Sequence, residues 1–205
     1  MSPTGRPHGD ARKERILDVA LKTFADNGFR GASIAEIADR CGLSQPGLLH
    51  HFPTKAALLA AVLDHRDRLD ADRLGGEELH GPAALERLVR LVEHNAQVPG
   101  LVRLFTVVTS EAVAADHPAH EWAVTRYRHL EKALAEALDA GIADGTVAPG
   151  VDSAAIARQV FATMDGLQLQ WLLDPDAVDM PALFRCYVEE VIARIAPAGA
   201  DDPAL

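Results

Sequence analysis

The sequence is poor in aromatic residues, in cysteine and in long apolar runs. Aromatic side chains make up 5% of its 205 residues, and Ala, Leu and Val fill most apolar positions, which favours helices over strands. Cys41 and Cys186 are too few for a disulfide framework, so we expect two reduced thiols. No apolar run approaches the roughly 18–20 residues that span a bilayer, and the N-terminus lacks the apolar stretch of a secretory signal. We therefore expect a cytoplasmic protein with no membrane partner.

The sequence also lacks the motifs of common catalytic and cofactor sites. It has no Gly-x-Ser-x-Gly elbow, no Gly-rich phosphate-binding loop and no dinucleotide fingerprint. The pairs His50–His51 and His117–His120 supply too few ligands for a metal ion, which needs three or four converging side chains. These absences predict a protein that is not an enzyme and that uses neither a cofactor nor a metal.

Charge is distributed unevenly along the chain. The whole sequence carries a net charge of −10, which taken alone argues against binding to nucleic acid. Residues 1–55, however, contain eight Lys or Arg and six Asp or Glu, a net charge of +2. Residues 56–205 contain twelve Lys or Arg and twenty-four Asp or Glu, a net charge of −12. The acidity therefore belongs to the second part only, and the first part remains compatible with DNA.

Apolar residues recur at three- and four-residue steps along most of the chain, which is typical of amphipathic helices. Residues 12–27 show this pattern first, and Gly28 is placed as their C-terminal stop. The last two long helices are expected at about 153–173 and 180–195. No convincing strand and no short repeat is present. The sequence predicts an all-α protein of about nine helices, with a small N-terminal module and a larger acidic bundle.

Two short helices follow one another near the N-terminus. Ser33, with Glu36 three positions later, forms the capping box that opens a helix. After a break at Gly42, Ser44 caps a second helix over residues 45–51. Two short helices joined by a tight Gly-containing turn match the helix-turn-helix pattern. Short capped helices are also common in other all-α proteins, so this pattern alone leaves both interpretations open.

A specific set of residues lies across positions 15–63. In order, its members are Phe24-Ala25-x-x-Gly28-Phe29, Ser33, Ile37-Ala38, Gly42-Leu43-Ser44, Leu48, His51-Phe52, Lys55 and Leu58. As a set, these residues resemble the DNA-binding domain of the TetR family of bacterial transcriptional regulators. The rest of the chain resembles the family in helix count and length only. The resemblance implies a transcriptional regulator, in the usual mode a repressor, that a small-molecule effector releases from its operator.

The resemblance also implies a division of the chain near residue 55, where a linking helix begins. Residues 12–55 would form a three-helix helix-turn-helix DNA-binding domain, and residues 56–196 a helical ligand-binding and dimerisation domain. We expect a disordered arm over residues 1–11 and a loose tail over residues 197–205.

In helix-turn-helix proteins the second helix enters the major groove, and its N-terminal residues face the base edges. Gln45 can bond bidentately to adenine, whereas Pro46 and Gly47 carry no donor and would allow close approach. The resemblance places Lys55 on a phosphate. The residues expected to contact double-stranded DNA are Ser33, Ser44, Gln45, Pro46, Gly47, His50, His51, Thr54 and Lys55.

Leu49 departs from the family pattern, because most members carry a phosphate-contacting tyrosine at this position. Leucine cannot donate a hydrogen bond, so either His50 replaces the contact or the contact is missing. This departure favours one alternative, a helical ligand-binding or adaptor protein whose DNA-binding module has decayed.

The resemblance implies a homodimer in which two modules read the half-sites of a pseudo-palindromic operator. The apolar residues expected at its interface are Phe161, Leu169, Phe184, Tyr187, Val188 and Val191. An effector pocket, mostly apolar with a few polar groups, is expected among Phe105, Thr109, Trp122, Arg126, Met164, Gln168 and Trp171. For both sets the alternative is an ordinary helical core. Effector binding would act as a population shift that moves the helix beginning at Lys55.

Overall fold

The computed structural model describes residues 7–74 and 79–197. Within these ranges the chain forms nine α-helices and no strand, which confirms the all-α prediction. None of the helices in this part of the chain is long and apolar enough to cross a membrane. The helices are α1 (Pro7–Gly31), α2 (Ile34–Arg40), α3 (Gln45–His51), α4 (Lys55–Leu74), α5 (Pro82–Asn95), α6 (Pro99–Glu111), α7 (His120–Asp144), α8 (Ser153–Leu173) and α9 (Met180–Ile195).

The N-terminal boundary differs from the sequence expectation. Helix α1 begins at Pro7, so residues 7–11 are helical and do not belong to a disordered arm. Proline is well suited to the first position of a helix, because its missing N–H has no partner there and its φ is already helical. Residues 1–6 of the predicted arm and residues 198–205 of the predicted tail lie outside the described residues.

Two compact units share the chain. Unit 1 comprises Met1–Asp72 together with Gly100–Ala123, so it takes in most of α6 as well as the helix-turn-helix. The domain boundary expected near residue 55 therefore does not coincide with the boundaries of unit 1. The core of unit 1 contains side chains from six helices, namely α1 to α4, α6 and the start of α7, among them Ile16, Phe24, Ile37, Leu48, Leu58, Leu104 and Val108. Helix α6 therefore packs with the helices of the predicted DNA-binding domain.

Unit 2 comprises Arg73–Pro99 and Val124–Leu205. In it α9 packs against both α5 and α8. Its core is built from apolar residues at helical spacing, among them Leu85, Val92, Leu138, Val160, Met180, Phe184 and Val188. Both α8 and α9 begin with an aspartate cap, Asp152 for α8 and Asp179 for α9, whose carboxylates accept from backbone N–H groups in the first turn.

Candidate functional site

The helix-turn-helix forms at the predicted positions. Ser33 Oγ accepts from the Glu36 amide at 3.5 Å, and Ser44 Oγ accepts from the Gly47 amide at 3.2 Å. The reciprocal half of the predicted capping box does not form, because the Glu36 carboxylate pairs with Arg40 at 3.0 Å. An i,i+4 ion pair competes for the carboxylate that would otherwise reach back to the Ser33 amide. Each short helix is nevertheless capped at its start.

Helix α3 has one buried face and one exposed face. Leu48 is fully buried in the core of unit 1. Gln45, Pro46 and His50 are exposed on the other side, and Leu49 is partly exposed beside them. The helix therefore keeps side chains with hydrogen-bonding groups on its outer surface although Leu49 supplies none. Nothing in this geometry favours the decayed-module alternative.

The segment that follows α3 holds two predicted phosphate contacts. Thr54 Oγ1 accepts from the Ala57 amide at 3.0 Å and so caps α4. Lys55 Nζ donates to the carbonyl oxygens of Arg30 at 3.3 Å and of Ala32 at 3.0 Å. An ammonium group has three protons, so Lys55 retains one for a further acceptor. The sequence did not predict that Lys55 also binds the end of α1.

Helix α1 is broken at Gly28, where φ is 66° and ψ is 179°. The next amide, that of Phe29, donates to Glu111 Oε2 at 2.6 Å. A Cβ atom at Gly28 would lie 2.5 Å from Glu111 Oε1, so the carboxylate occupies the space that a side chain would need. Gly28 was predicted as a helix stop. No residue near Gly28 in the sequence indicates that Glu111, which lies 82 positions after Phe29, packs against this break.

His117 lies beside the same carboxylate. Its side chain is 1% exposed, and its Nε2 is 3.7 Å from Glu111 Oε2. Its Nδ1 accepts from the Ala119 amide at 3.2 Å, which fixes a neutral tautomer with the proton on Nε2. Burial lowers the pKa of His117, Glu111 and Asp116 raise it, and Arg30 lowers it. The net shift is downward, so the buried ring is neutral near pH 7.

Three predicted effector residues lie in unit 1 and make contacts there. Phe105 is buried, with the Arg66 guanidinium 4.8 Å from its ring centre and the Trp122 ring 6.3 Å away in an edge-on arrangement. Trp122 Nε1 donates to Asp67 at 3.1 Å. Thr109 Oγ1 donates to the Phe105 carbonyl oxygen at 2.7 Å, within α6. These contacts bring Phe105, Thr109 and Trp122 close together.

The other four predicted effector residues lie in unit 2. Met164 and Gln168 are buried one turn apart on α8, and Trp171 packs partly against the same core. Gln168 Oε1 has no hydrogen-bond partner among the described residues. Arg126 lies on α7 and is partly buried. Of these residues, Gln168 has the most informative environment, because a buried acceptor without a partner is costly.

An open groove of about 670 Å³ also lies in unit 2, between α7 and the start of α8. Its lining is charged and includes Arg128, Lys132 and Arg158. Arg158 is exposed and pairs with Glu131 through two nitrogen atoms, which raises the pKa of Arg158. None of the predicted effector residues lines this groove.

The predicted interface residues divide into two groups. Four of them are buried within unit 2 and offer no surface to a second chain, namely Phe161, Phe184, Val188 and Val191. Their apolar spacing reflects packing inside one chain, which the sequence pattern could not separate from packing between chains. Leu169 is 48% exposed, and Tyr187 is partly exposed. Leu173 and Leu183 are also exposed apolar residues on α8 and α9, although apolar spacing in the sequence did not single out either of them.

Two family models match the chain. Residues 16–62 match the model described as bacterial regulatory proteins, tetR family. Residues 83–193, more than half of the chain, match the model described as BetI-type transcriptional repressor, C-terminal. The first match covers the helix-turn-helix, and the second covers α5 through most of α9.

Relatives and solved structures agree with these matches. The chain is 26% identical over 215 aligned residues to the HTH-type transcriptional repressor KstR2 of Mycolicibacterium smegmatis, with 100% of each chain covered. It is 40% identical over 100 residues to the HTH-type transcriptional regulator RutR of Escherichia coli, with 46% of each chain covered. A TetR transcriptional regulator from Chloroflexus aurantiacus superposes with a TM-score of 0.80 at 22% identity, covering 92% of this chain and 98% of that one. The structural likeness shows the fold.

The curated relatives are transcriptional regulators, and the two family models together cover both the DNA-binding module and the C-terminal helices. Members of this family bind operator DNA, act as dimers and typically respond to small-molecule ligands. The chain therefore belongs to the TetR family of bacterial regulators and is a helix-turn-helix, DNA-binding transcriptional repressor.

Proposed function

We propose that two copies of this chain bind a pseudo-palindromic operator, each inserting α3 into one major-groove half-site. The observation that carries the proposal is the two-faced character of α3, with Leu48 buried and Gln45 and His50 exposed. A major groove about 12 Å wide admits one helix, and the side-chain amide of Gln45 can pair with the N6 and N7 edge of adenine. Pro46 beside it and the small Gly47 leave room for close approach.

Phosphate contacts would come from groups that flank α3. The hydroxyls of Ser33, Ser44 and Thr54 accept from amides at helix starts, so the proton of each hydroxyl is still available to a phosphate oxygen. Lys55 adds its positive charge and its third ammonium proton, and His51 is partly exposed next to them. These contacts would fix the register in which Gln45 meets the bases. Binding to the bacterial chromosome would place the protein in the cytoplasm.

The dimer would form through the exposed apolar residues of α8 and α9. Leu169, Leu173 and Leu183 are between 48% and 76% exposed, and Tyr187 is partly exposed. A second copy of the chain would remove these side chains from water, and each fully buried leucine contributes about 1.5–3 kcal/mol. Two linked modules would also double the number of phosphate contacts, which compensates for the net charge of only +2 in residues 1–55.

The effector would bind in unit 2 next to Gln168. The unpartnered Gln168 Oε1 lies among apolar neighbours that include Met164. A mostly apolar small molecule with one hydroxyl or amine donor would satisfy this oxygen and bury its own apolar surface. It would release the operator only to the extent that it prefers the conformation that does not bind DNA. Phe105, Thr109 and Trp122, in unit 1, remain predictions for the same role.

Selection of binding sites from random-sequence duplex DNA tests the proposal. The wild-type protein is expected to enrich two inverted half-sites whose centres lie about one helical turn, or a small multiple of it, apart. Gln45→Ala should lower the affinity for the selected duplex by about 1–3 kcal/mol and relax the base preference at one position per half-site. Gln97→Ala, an exposed glutamine outside the module, is the matched control. Enrichment of no sequence by the wild type, or equal losses in both variants, contradicts the proposal.

A further inference from the structure

Glu111 is the last residue of α6, and its carboxylate lies against the break in α1. Glu111 Oε2 accepts from the Phe29 amide at 2.6 Å, and Oε1 fills the space beside Gly28 where a Cβ atom would stand. A hydrogen bond to a carboxylate is shorter and roughly twice as strong as one between neutral groups. This contact therefore ties the end of α6 to a point where α1 changes direction.

Phe29 makes two further side-chain contacts within unit 1, one with His117 and one with Lys55. Its ring is nearly perpendicular to the ring of His117, with ring centres 5.2 Å apart. Lys55 Nζ lies 4.7 Å from the centre of the same ring and also donates to the carbonyl oxygens of Arg30 and Ala32. Lys55 is the first residue of α4 and follows the end of α3 by four positions. A continuous set of contacts thus leads from α6 to the segment that holds α3.

Besides the apolar packing of the unit 1 core, a second polar contact joins α6 to α1, and it is weaker than that of Glu111. Arg103 and Asp26 approach to 3.3 Å, but both side chains are about half exposed. Exposed ion pairs contribute little, because water and salt screen them and long side chains lose freedom. Glu111, by contrast, is 27% exposed and lies against the buried His117 ring. The carboxylate of Glu111 is accordingly the stronger of these two polar contacts.

We propose that Glu111 is a positioning residue for operator binding, which through the Phe29 amide and Lys55 holds α3 in the orientation that reads DNA. The inference rests on the proposed operator binding and adds a route by which that binding is controlled. Any effector that displaces the end of α6 breaks this hydrogen bond and lowers operator affinity. By thermodynamic reciprocity, operator binding must strengthen the same hydrogen bond.

Variants at Glu111 test the proposal against DNA selected by the wild-type protein and against a scrambled duplex of equal length. Glu111→Ala is expected to weaken binding to the selected duplex about tenfold or more, because a charged hydrogen bond is lost. Binding to the scrambled duplex should stay within about twofold, because the phosphate contacts remain. Glu111→Gln keeps an acceptor oxygen at the same reach and is expected to restore most of the lost affinity.

The matched control is Glu121→Gln, which removes a charge from an exposed residue at the start of α7. It should leave both affinities unchanged. A purely structural role of Glu111 would reduce the fraction of active protein and so lower both affinities equally. Equal losses on the two duplexes, no loss in Glu111→Ala, or the same loss in Glu121→Gln each overturn the proposal. If the wild type selects no sequence, the proposed function fails before Glu111 is tested.

Hydrogen exchange in the wild-type protein provides a second test that does not depend on a variant folding. The Phe29 amide is expected to exchange more slowly when the selected duplex is bound than when the protein is free. The Ala119 amide, which donates to His117 in the same unit, serves as an internal reference. Slowing of Phe29 beyond that of Ala119 supports the proposal. Equal behaviour of the two amides overturns it.

Discussion

Replacement of Gly28 by alanine should strongly destabilise unit 1. The backbone at this residue, with φ at 66° and ψ at 179°, lies in a region that is essentially restricted to glycine. Holding a side chain there costs of order 1–3 kcal/mol. The new Cβ would also lie 2.5 Å from Glu111 Oε1 and 2.9 Å from Glu111 Cδ, so the carboxylate must move. Its hydrogen bond with the Phe29 amide would then be lost, at a cost of about 1.5–3 kcal/mol.

Alanine also reduces the freedom of the unfolded chain, which stabilises the folded state by about 0.4–1 kcal/mol. The net loss for Gly28→Ala is therefore about 2–5 kcal/mol in the free energy of unfolding. Gly31→Ala, three residues later in α1, is the matched control. A Cβ atom at Gly31 would meet only Asn27 Cβ, at an ordinary 3.5 Å, so this variant should be neutral or slightly more stable.

The chain contains two tryptophans, one in each unit, which allows unit 1 to be followed separately. In a Trp171→Phe background, urea unfolding monitored by the fluorescence of Trp122 reports on unit 1. Protomer concentration must be equal in all samples, because dimer formation changes the apparent stability.

A double variant separates the two contributions. With Glu111→Ala already present, the carboxylate is absent and only the backbone cost remains, so Gly28→Ala should cost about 1.5–3 kcal/mol less than in the parent. A cost below about 1 kcal/mol in the parent would refute the argument from backbone conformation. An equal cost in both backgrounds would refute the argument that the carboxylate and Gly28 share one space.

Three further predictions concern other residues. The pKa of His117 is lowered from its ordinary 6.5 by burial, so the unfolded chain takes up this proton first as the pH falls. Stability should therefore decrease from about pH 6.5 downward until the folded pKa is passed, and pH-dependent denaturation of His117→Asn should show a smaller decrease. Gln168→Met should raise the free energy of unfolding followed by Trp171 fluorescence by about 1 kcal/mol, because it removes an unpartnered buried oxygen; an unchanged or lower stability would show that Gln168 is satisfied. Leu173→Glu should shift the protein from dimer to monomer in sedimentation velocity, whereas Val113→Glu, at a residue 82% exposed in unit 1, should not.

Local chemistry explains why the helix-turn-helix could be predicted from the sequence. Ser44 caps α3 with a hydroxyl three residues from its amide donor, and Gly42 supplies the backbone turn before it, with φ at 68°. Signals of this kind lie within a few residues of the structure they determine. The predicted bounds of α3, residues 45–51, therefore agree with the structure.

Contacts between distant residues could not be predicted in the same way. Nothing near Phe29 indicates that Glu111 accepts from its amide, because the two residues meet only after α6 has packed in unit 1. Apolar spacing likewise identified α8 and α9 as helices with strong apolar faces. It could not say that Phe161 and Val191 face their own chain while Leu173 faces solvent, because periodicity gives the face and not the partner. For the predicted effector residues, too, apolar spacing could not distinguish the lining of a pocket from an ordinary helical core.

The discontinuity of unit 1 has a consequence for the engineering of chimeric biosensors from this chain. A chimera that joins residues 1–72 to the remainder of a relative would pair α1 and α4 with a foreign α6. The host α6 would then have to supply both the apolar residues that replace Leu104 and Val108 and an acceptor at the position of Glu111. Junctions placed so that residues 100–123 travel with the N-terminal part would preserve these contacts. A chimera that exchanges the whole of unit 1 between family members therefore requires three junctions, after residues 72, 99 and 123, and not one.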